Sequence, residues 1–171
     1  MFGLFKKKPV PSGPITFDFD MLIERAPADV YALVDWADPR NAKRQLGHSV
    51  EGQSPHFHLR MTSMPDLDFK LEVIEERAGE IYAYKCDIEP RVGRLVTNIE
   101  RFIFEPMNDG HCRVRLINEA TFIDNMTRRE FEQEMMMMST ATNDGLIKLK
   151  VIAEMGLEAA KAVEGATFAL T

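Results

Sequence analysis

The sequence has no apolar run long enough to cross a membrane. A helical span needs about 20 consecutive apolar residues, and no stretch of the chain approaches that length. The N-terminus places Phe2, Leu4 and Phe5 before Lys6–Lys8, whereas a secretory signal peptide has its charged residues first. These absences predict a cytoplasmic protein without an integral membrane segment.

Cysteine is also scarce, with only Cys86 and Cys112 in the chain, and their spacing matches no common metal-binding motif. We place them on strands that a third strand separates, about 10 Å apart. A disulfide allows roughly 7 Å between Cα atoms, so two reduced, partly buried thiols are expected. Reduced thiols agree with a cytoplasmic location.

Signatures of several enzyme classes and of nucleic-acid binders are missing. There is no Gly-x-Gly-x-x-Gly fingerprint, no phosphate-binding loop and no catalytic triad in a known order. A formal net charge of −6 argues against a nucleic-acid partner, because such proteins usually carry a basic face. His56 and His58 alternate with apolar residues and are expected to face solvent. We therefore predict no metal site and no cofactor.

What the chain does contain is a series of strand patterns. Residues 15–24 alternate apolar and polar side chains, the period of a strand with one buried face. Pro27 and Pro39 bound a predicted short helix, and a second short helix is predicted over residues 41–45. Six further strands are predicted between turn residues, at residues 47–53, 56–63, 69–77, 80–88, 94–105 and 111–122.

The last long stretch, residues 127–160, predicts one long helix, because it contains no proline and carries an apolar stripe at helical spacing. Thr127 and Glu130 match a capping box at its start, and Glu134 is placed on the solvent side. Methionine suits surfaces that accept varied apolar partners, so Met135–Met138 could fill the core, line a cavity or, at Met137, contact another subunit. The stripe comprises Phe131, Met135, Met138, Thr142, Leu146, Leu149 and Ala153.

Helices segregated from an antiparallel sheet define an α+β protein, and 171 residues suit one domain. We expect this domain to span residues 15–162. A flexible basic N-terminal tail, 1–14, precedes it, and a C-terminal tail, 163–171, follows it. The N-terminal tail could make weak contact with an anionic membrane surface, because its lysines adjoin apolar residues.

The order of elements resembles the helix-grip superfamily of START lipid-transfer domains, birch pollen allergen proteins and bacterial polyketide cyclases. The resemblance covers residues 15–160. It rests on the first strand leading into Ala-Pro-Ala-Asp-Val-Tyr at residues 26–31, on Trp36 and on the closing helix. It implies a curved seven-stranded antiparallel sheet around a long C-terminal helix, two short helices after the first strand, and an apolar cavity. No catalytic signature defines the superfamily, so the resemblance implies fold rather than activity.

Strand alternation places a polar seam on the inward face of the sheet. With hairpin centres near residues 91 and 108, Asn98 is expected opposite Asn118 and beside Tyr84, with Glu100 beside Tyr82. The seam could orient the polar end of an apolar ligand. It could equally be a self-satisfied network in a packed core, or face water if a bulge shifts the register. The inward set predicted for the sixth strand is Val96, Asn98, Glu100, Phe102 and Phe104.

We predict that the protein binds or transports a small hydrophobic or amphipathic molecule between the sheet and the long helix. One alternative is a cyclase- or hydratase-type enzyme in which a desolvated Glu100, with a raised pKa, acts as acid or base. Another is an interaction module with a filled core. The ligand and the oligomeric state, monomer or dimer, stay open. The predicted lining is Phe57, Leu59, Met61, Tyr82, Tyr84, Asn98, Glu100, Asn118, Phe131, Met135, Met138, Thr142 and Leu146.

Overall fold

Seven antiparallel strands form one sheet in the order β1-β7-β6-β5-β4-β3-β2. The computed structural model describes residues 10–168, with side chains as far as residue 164. The strands are β1 (Ile15–Ile23), β2 (Ser49–Gln53), β3 (His56–Met61), β4 (Met64–Arg77), β5 (Ile81–Glu89), β6 (Leu95–Pro106) and β7 (Cys112–Phe122). The helices are α1 (Pro27–Val34), α2 (Ala42–Gln45), α3 (Arg128–Met155) and α4 (Leu157–Phe168). The predicted α+β class, with two short helices after the first strand, is confirmed.

Local sequence signals start the helices where they were expected. Pro27 occupies the beginning of α1, where its missing N–H costs no helical hydrogen bond. The side chain of Asn41 accepts hydrogen bonds from the backbone N–H groups of Lys43 and Arg44 in α2. At α3 the predicted capping box is present, with the backbone N–H of Thr127 donating to Glu130 Oε2 at 2.8 Å. These caps satisfy backbone groups that a helix end leaves unpaired.

The long helix covers only part of the sheet. α3 packs mainly against β1 and less extensively against β7, burying Thr142, Leu146, Leu149 and Ile152. α1 packs against β6 and α3, whereas α2 lies against β2 and α4 against α3. A space therefore remains between α3 and the middle strands, with the shorter helices around it.

The prediction of one unbroken helix over residues 127–160 is wrong. α3 ends at Met155, and Gly156 adopts φ 87° and ψ −176°, a backbone region that essentially only glycine occupies. α4 then continues to Phe168, so the predicted C-terminal tail, 163–171, overlaps a helix. Ala160 of α4 is buried in the main core. The sequence prediction took the absence of proline to mean an unbroken helix. A glycine in this backbone conformation also ends a helix, and it does so without proline.

Glu134 is also not where the helical pattern placed it. Its side chain is buried, and Arg94 donates a hydrogen bond to Glu134 Oε1 at 3.0 Å and another to Glu130 Oε1 at 3.0 Å. A buried carboxylate is tolerated when an opposite charge pairs with it. The ion pair thus attaches the first turns of α3 to the start of β6.

The predicted register differs from the observed one by two residues. Glu100 pairs with Asn118 and with Tyr84, while Asn98 pairs with Cys86. A two-residue shift keeps every side chain on its predicted face, so the seam survives with changed partners. Each hairpin centre lies one residue later than expected, and an error of one at the centre becomes two in the pairing.

A β-bulge in β6 overturns one predicted inward residue. The pairing of β6 with β7 shifts between Leu95 and Thr97, which leaves Val96 43% exposed. A bulge turns the side chains on one side of it to the opposite face. Leu95 consequently faces the interior at this end of the sheet.

Only part of the predicted N-terminal tail lies within the described residues. Ser12, inside that predicted tail, accepts a hydrogen bond through its carbonyl from the N–H of Phe122 at 2.6 Å. Lys6–Lys8 and the apolar residues before them lie outside the described residues, so the predicted membrane contact stays a prediction. Within residues 10–168, no helix combines the length and apolar character needed for a membrane span.

Two glycine substitutions test the helix break. Gly156→Ala should lower the free energy of unfolding by about 1–3 kcal/mol, because alanine is strained at this backbone conformation. Gly145→Ala is the matched control: Gly145 lies inside α3 with open space where a Cβ would be, and the change should stabilise by about 0.5–1 kcal/mol. Urea unfolding measures both values. A neutral or stabilising Gly156→Ala would contradict the break.

Candidate ligand-binding site

A cavity of about 360 Å³ lies between the middle of the sheet and α3. This volume falls within the roughly 300–1,000 Å³ of typical small-molecule sites. Most lining residues are apolar, and they come from every helix and from the four strands β4 to β7: Leu33, Val34, Trp36, Ala42, Leu46, Phe69, Cys86, Ile88, Leu95, Phe102, Leu116, Met138, Ala141, Leu149, Ile152 and Ala160.

The first part of a polar seam crosses this wall on β5 and β6. Tyr84 donates its hydroxyl hydrogen to Glu100 Oε2 at 2.6 Å, and Asn98 Nδ2 donates to Glu100 Oε1 at 3.2 Å. All three residues line the cavity. Both carboxyl oxygens of Glu100 therefore have a fixed donor, which orients the group.

The seam continues from β7 onto α3. Asn118 Nδ2 donates to Thr142 Oγ1 at 3.3 Å, and the Thr142 hydroxyl donates to the carbonyl of Met138 at 2.8 Å. The hydroxyl of Thr142 thus serves both as acceptor and as donor. This chain of bonds fixes α3 against the sheet at the level of the cavity.

Burial dominates the protonation of the seam. It raises the pKa of Glu100, while the hydrogen bonds from Tyr84 and Asn98 and the charge of Lys43 act in the opposite direction. Burial also raises the pKa of Tyr84 well above its usual value, so its hydroxyl keeps the proton that it donates. Glu100 therefore holds a proton more readily than an exposed glutamate.

Two buried polar atoms of the cavity lining have no hydrogen-bond partner among the described residues. They are Asn118 Oδ1, an acceptor, and Trp36 Nε1, a donor. An unpaired buried polar group costs about 1–3 kcal/mol, and such groups usually find water or a ligand. The lining residues thus include one buried acceptor, on Asn118 of the seam, and one buried donor, on Trp36, that no described residue pairs.

Charged side chains come together at another part of the cavity wall. Lys43 Nζ lies 3.4 Å from Glu164 Oε1, and His48 Nε2 lies 3.4 Å from Glu164 Oε2. Lys148 of α3 also lines the cavity. Lys43, Lys148 and Glu164 are partly exposed, and we call these three residues the rim.

Six of the thirteen residues predicted to line the cavity do so. They belong to the polar seam or to the facing side of α3, where strand parity and helical spacing agree with the structure. Their contact with a ligand stays a prediction. The six are Tyr84, Asn98, Glu100, Asn118, Met138 and Thr142.

The other seven lie elsewhere, because α3 crosses the sheet near β1 rather than over its middle. Four are packed in the main core: Phe57, Leu59, Tyr82 and Leu146. Met61 lies beside Lys43, with Sδ 4.0 Å from Nζ. Phe131 and Met135 pack into a second cluster around Phe122. Tyr82 is further occupied by a hydrogen bond from the backbone N–H of Trp36.

Sequence reasoning missed the contributions of the shorter helices. Trp36 and Lys43 line the cavity from the α1–α2 region, and Ala160 and Glu164 line it from α4. The spacing of Leu157, Ala160 and Glu164 continues a helical face, a signal that could have extended the helical prediction. Their approach to the cavity depends on the turn at Gly156.

Residues 10–168 contain no group of three or more histidine, cysteine, aspartate or glutamate side chains placed to hold a metal ion. His58 Nδ1 instead lies 2.9 Å from Asp68 Oδ2 on the sheet surface. Cys86 and Cys112 are free and buried, as expected, and burial raises the pKa of both thiols.

No protein-family model and no curated protein sequence matches the chain. Solved structures are similar: the Aha1 dimer from Colwellia psychrerythraea is 15% identical with a TM-score of 0.59, over 83% of this chain and 98% of that one. Ara h 8.0201 is 13% identical with a TM-score of 0.58, over 91% and 98%. DynU16, of the dynemicin biosynthetic locus, is 12% identical with a TM-score of 0.63, over 84% and 49%. At such identities the likeness concerns the fold, and this chain has the helix-grip fold.

The raised pKa of Glu100 predicts a pH dependence of stability. The folded protein keeps a proton that the unfolded carboxyl releases near its usual pKa of 4.5, so this contribution is complete below that pH and is lost as pH rises towards the folded pKa. Relative to Glu100→Gln, the wild type should lose free energy of unfolding as the pH rises above about 4.5. Urea unfolding at fixed pH measures this. Glu119→Gln, on the exposed face of β7, is the control; a flat difference for Glu100→Gln would refute the assignment.

Proposed function

We propose that this protein binds a small amphipathic ligand in the cavity between the sheet and α3. The observation that carries the proposal is a largely apolar space of about 360 Å³, whose lining includes two residues with an unpartnered buried polar atom, Asn118 Oδ1 and Trp36 Nε1. A closely packed core leaves no space of that volume. For this reason binding or transport is favoured over an interaction module with a filled core.

The lining specifies what kind of molecule would fit. Its apolar walls favour burial of hydrocarbon or aromatic surface, which is worth about 25 cal/mol per Å². Asn118 Oδ1 would accept a hydrogen bond from the ligand, and Trp36 Nε1 would donate one. The Tyr84–Glu100 pair would face the same polar edge of the ligand. Apolar bulk with a few fixed polar contacts is the usual composition of a small-molecule site.

The state of the two thiols bears on the cellular location. We propose that the protein acts in the cytoplasm, where thiols stay reduced. The two cysteines are free in the structure, which agrees with a reducing compartment.

A pair of tryptophan substitutions tests the cavity. Met138 lines it, whereas the neighbouring Met137 is 60% exposed. Native mass spectrometry of protein purified gently from its host should show a stoichiometric adduct in the wild type and in Met137→Trp. The adduct should be lost in Met138→Trp, because the indole fills the space. Wild-type protein that stays bare, even after addition of fatty acids, isoprenoids or aromatic polyketides, would count against ligand binding.

An enzyme of the cyclase or hydratase type is the second candidate, and one observation favours it. Glu100 combines a raised pKa with a position on the cavity wall, the properties of a general acid. Once the ligand has been identified by its mass, its rate of conversion can be measured. Glu100→Gln should lower that rate by roughly 100-fold or more and change the affinity for the ligand by no more than a few-fold. A carrier would show no conversion in either protein.

A further inference from the structure

The rim contains a carboxylate that belongs to the protein itself. Glu164 of α4 has only 16% of its side chain exposed, and its two oxygens each lie 3.4 Å from a nitrogen, one on Lys43 and one on His48. Glu164 also lines the cavity. The structure therefore shows a site at the edge of an apolar space that already holds an anionic group.

His48 is arranged to present a donor to this carboxylate. The backbone N–H of Thr62 donates to His48 Nδ1 at 3.3 Å, so Nδ1 serves as the acceptor of the ring. Burial, and then the charge of Lys43, lower the pKa of His48, which keeps the imidazole neutral at pH 7. The single ring proton consequently belongs on Nε2, the atom that faces Glu164. At 3.4 Å this contact is long, and Nε2 has no better partner within the described residues.

The charges around the site do not balance. Lys43 and Lys148 both line the cavity, and both lie close enough to His48 to lower its pKa. Within residues 10–168, Glu164 is the one carboxylate in a salt bridge with either lysine; the other carboxyl group that Lys43 influences is Glu100, whose pKa burial raises. Within residues 10–168 Lys148 has no salt bridge of its own. A second anionic group could therefore enter, or replace Glu164, with a favourable charge balance.

We propose that Lys43, His48 and Lys148 form the binding site for the anionic head group of the ligand, and that Glu164 occupies this site until the ligand displaces it. This inference rests on the proposed function, because the apolar part of the same ligand would fill the cavity. The ligand class is then an amphipathic acid. A carboxylate on an apolar tail has the same chemistry as the glutamate side chain that it replaces.

The connection between α3 and α4 is suited to such an exchange. A single residue, Gly156, separates the two helices, and glycine changes its backbone conformation more freely than other residues. Movement of α4, or rotation of the Glu164 side chain alone, would free the site. Either movement exposes Lys43 and His48 Nε2 to the head group.

The test uses three probes with one tail and different heads: decanoate, decanol and decylamine. Trp36 is the only tryptophan and lines the cavity, so its fluorescence reports binding directly. Decanoate should bind most tightly. Lys43→Gln should weaken decanoate binding by roughly tenfold, and Glu164→Gln should strengthen it by roughly fivefold, from the size of charge-assisted hydrogen bonds. Neither change should alter decanol binding by more than about twofold.

The controls are on the same helix. Lys161 and Glu158 pair with each other at 3.1 Å on the exposed side of α4, and neither lines the cavity. Lys161→Gln and Glu158→Gln change the net charge of the protein by the same amounts as the test variants. Both should leave decanoate affinity unchanged, which separates a specific site from long-range electrostatics.

The possible outcomes distinguish a failure of the head-group site from a failure of the proposed function. Equal affinity for the three probes would overturn the head-group site and leave the proposed function standing. A Glu164→Gln effect as large for decanol as for decanoate would also overturn it, because Glu164 would then merely close the cavity. A native-mass adduct that proves to be a neutral molecule would do the same. No fluorescence change together with no native-mass adduct would mean that the proposed function itself fails.

Discussion

One helix cannot cover a seven-stranded sheet, and the rest of this structure follows from that constraint. Strands about 4.8 Å apart make a sheet of seven roughly 29 Å wide, while a helix with its side chains is about 10–12 Å across. α3 lies towards the β1 and β7 side. The inner faces of β5 and β6 therefore need other elements to shield them from water, and α1, α2 and α4 supply walls rather than a filled layer.

The polar seam is compatible with this arrangement because most of its groups are paired. Glu100 accepts from Tyr84 and Asn98, and Asn118 is tied to α3 through Thr142. An isolated carboxyl at this depth would be strongly unfavourable, whereas a paired one mainly restricts which geometries are stable. The bonds between β7 and α3 also set the separation of helix and sheet. One atom at this contact, Asn118 Oδ1, has no partner among the described residues.

The fold was predictable from the sequence because it depends on two local signals: the alternation of apolar and polar residues along strands, and the capping residues at helix starts. Alternation assigned the faces of β5 and β7 correctly, and the capping box placed the start of α3. Faces survived a two-residue error in register, since strands repeat every second residue. The cavity lining was less predictable: the bulge at Val96 and the turn at Gly156 depend on tertiary packing. Phe57 and Leu59 were predicted to line the cavity but are packed in the core. The sequence pattern predicts that a residue is buried, and burial is common to the packed core and the cavity wall.

The break at Gly156 links the failed helix prediction to the composition of the site. A straight helix rises 1.5 Å per residue, so without the break Glu164 would lie about 12 Å further along the axis of α3. Instead α4 returns against α3, with Ala160 buried in the main core and Glu164 beside Lys43 and His48. One residue without a Cβ thus brings a carboxylate to the edge of an apolar cavity. Because that carboxylate pairs with Lys43, the turn at Gly156 and the charge of the rim are parts of one arrangement.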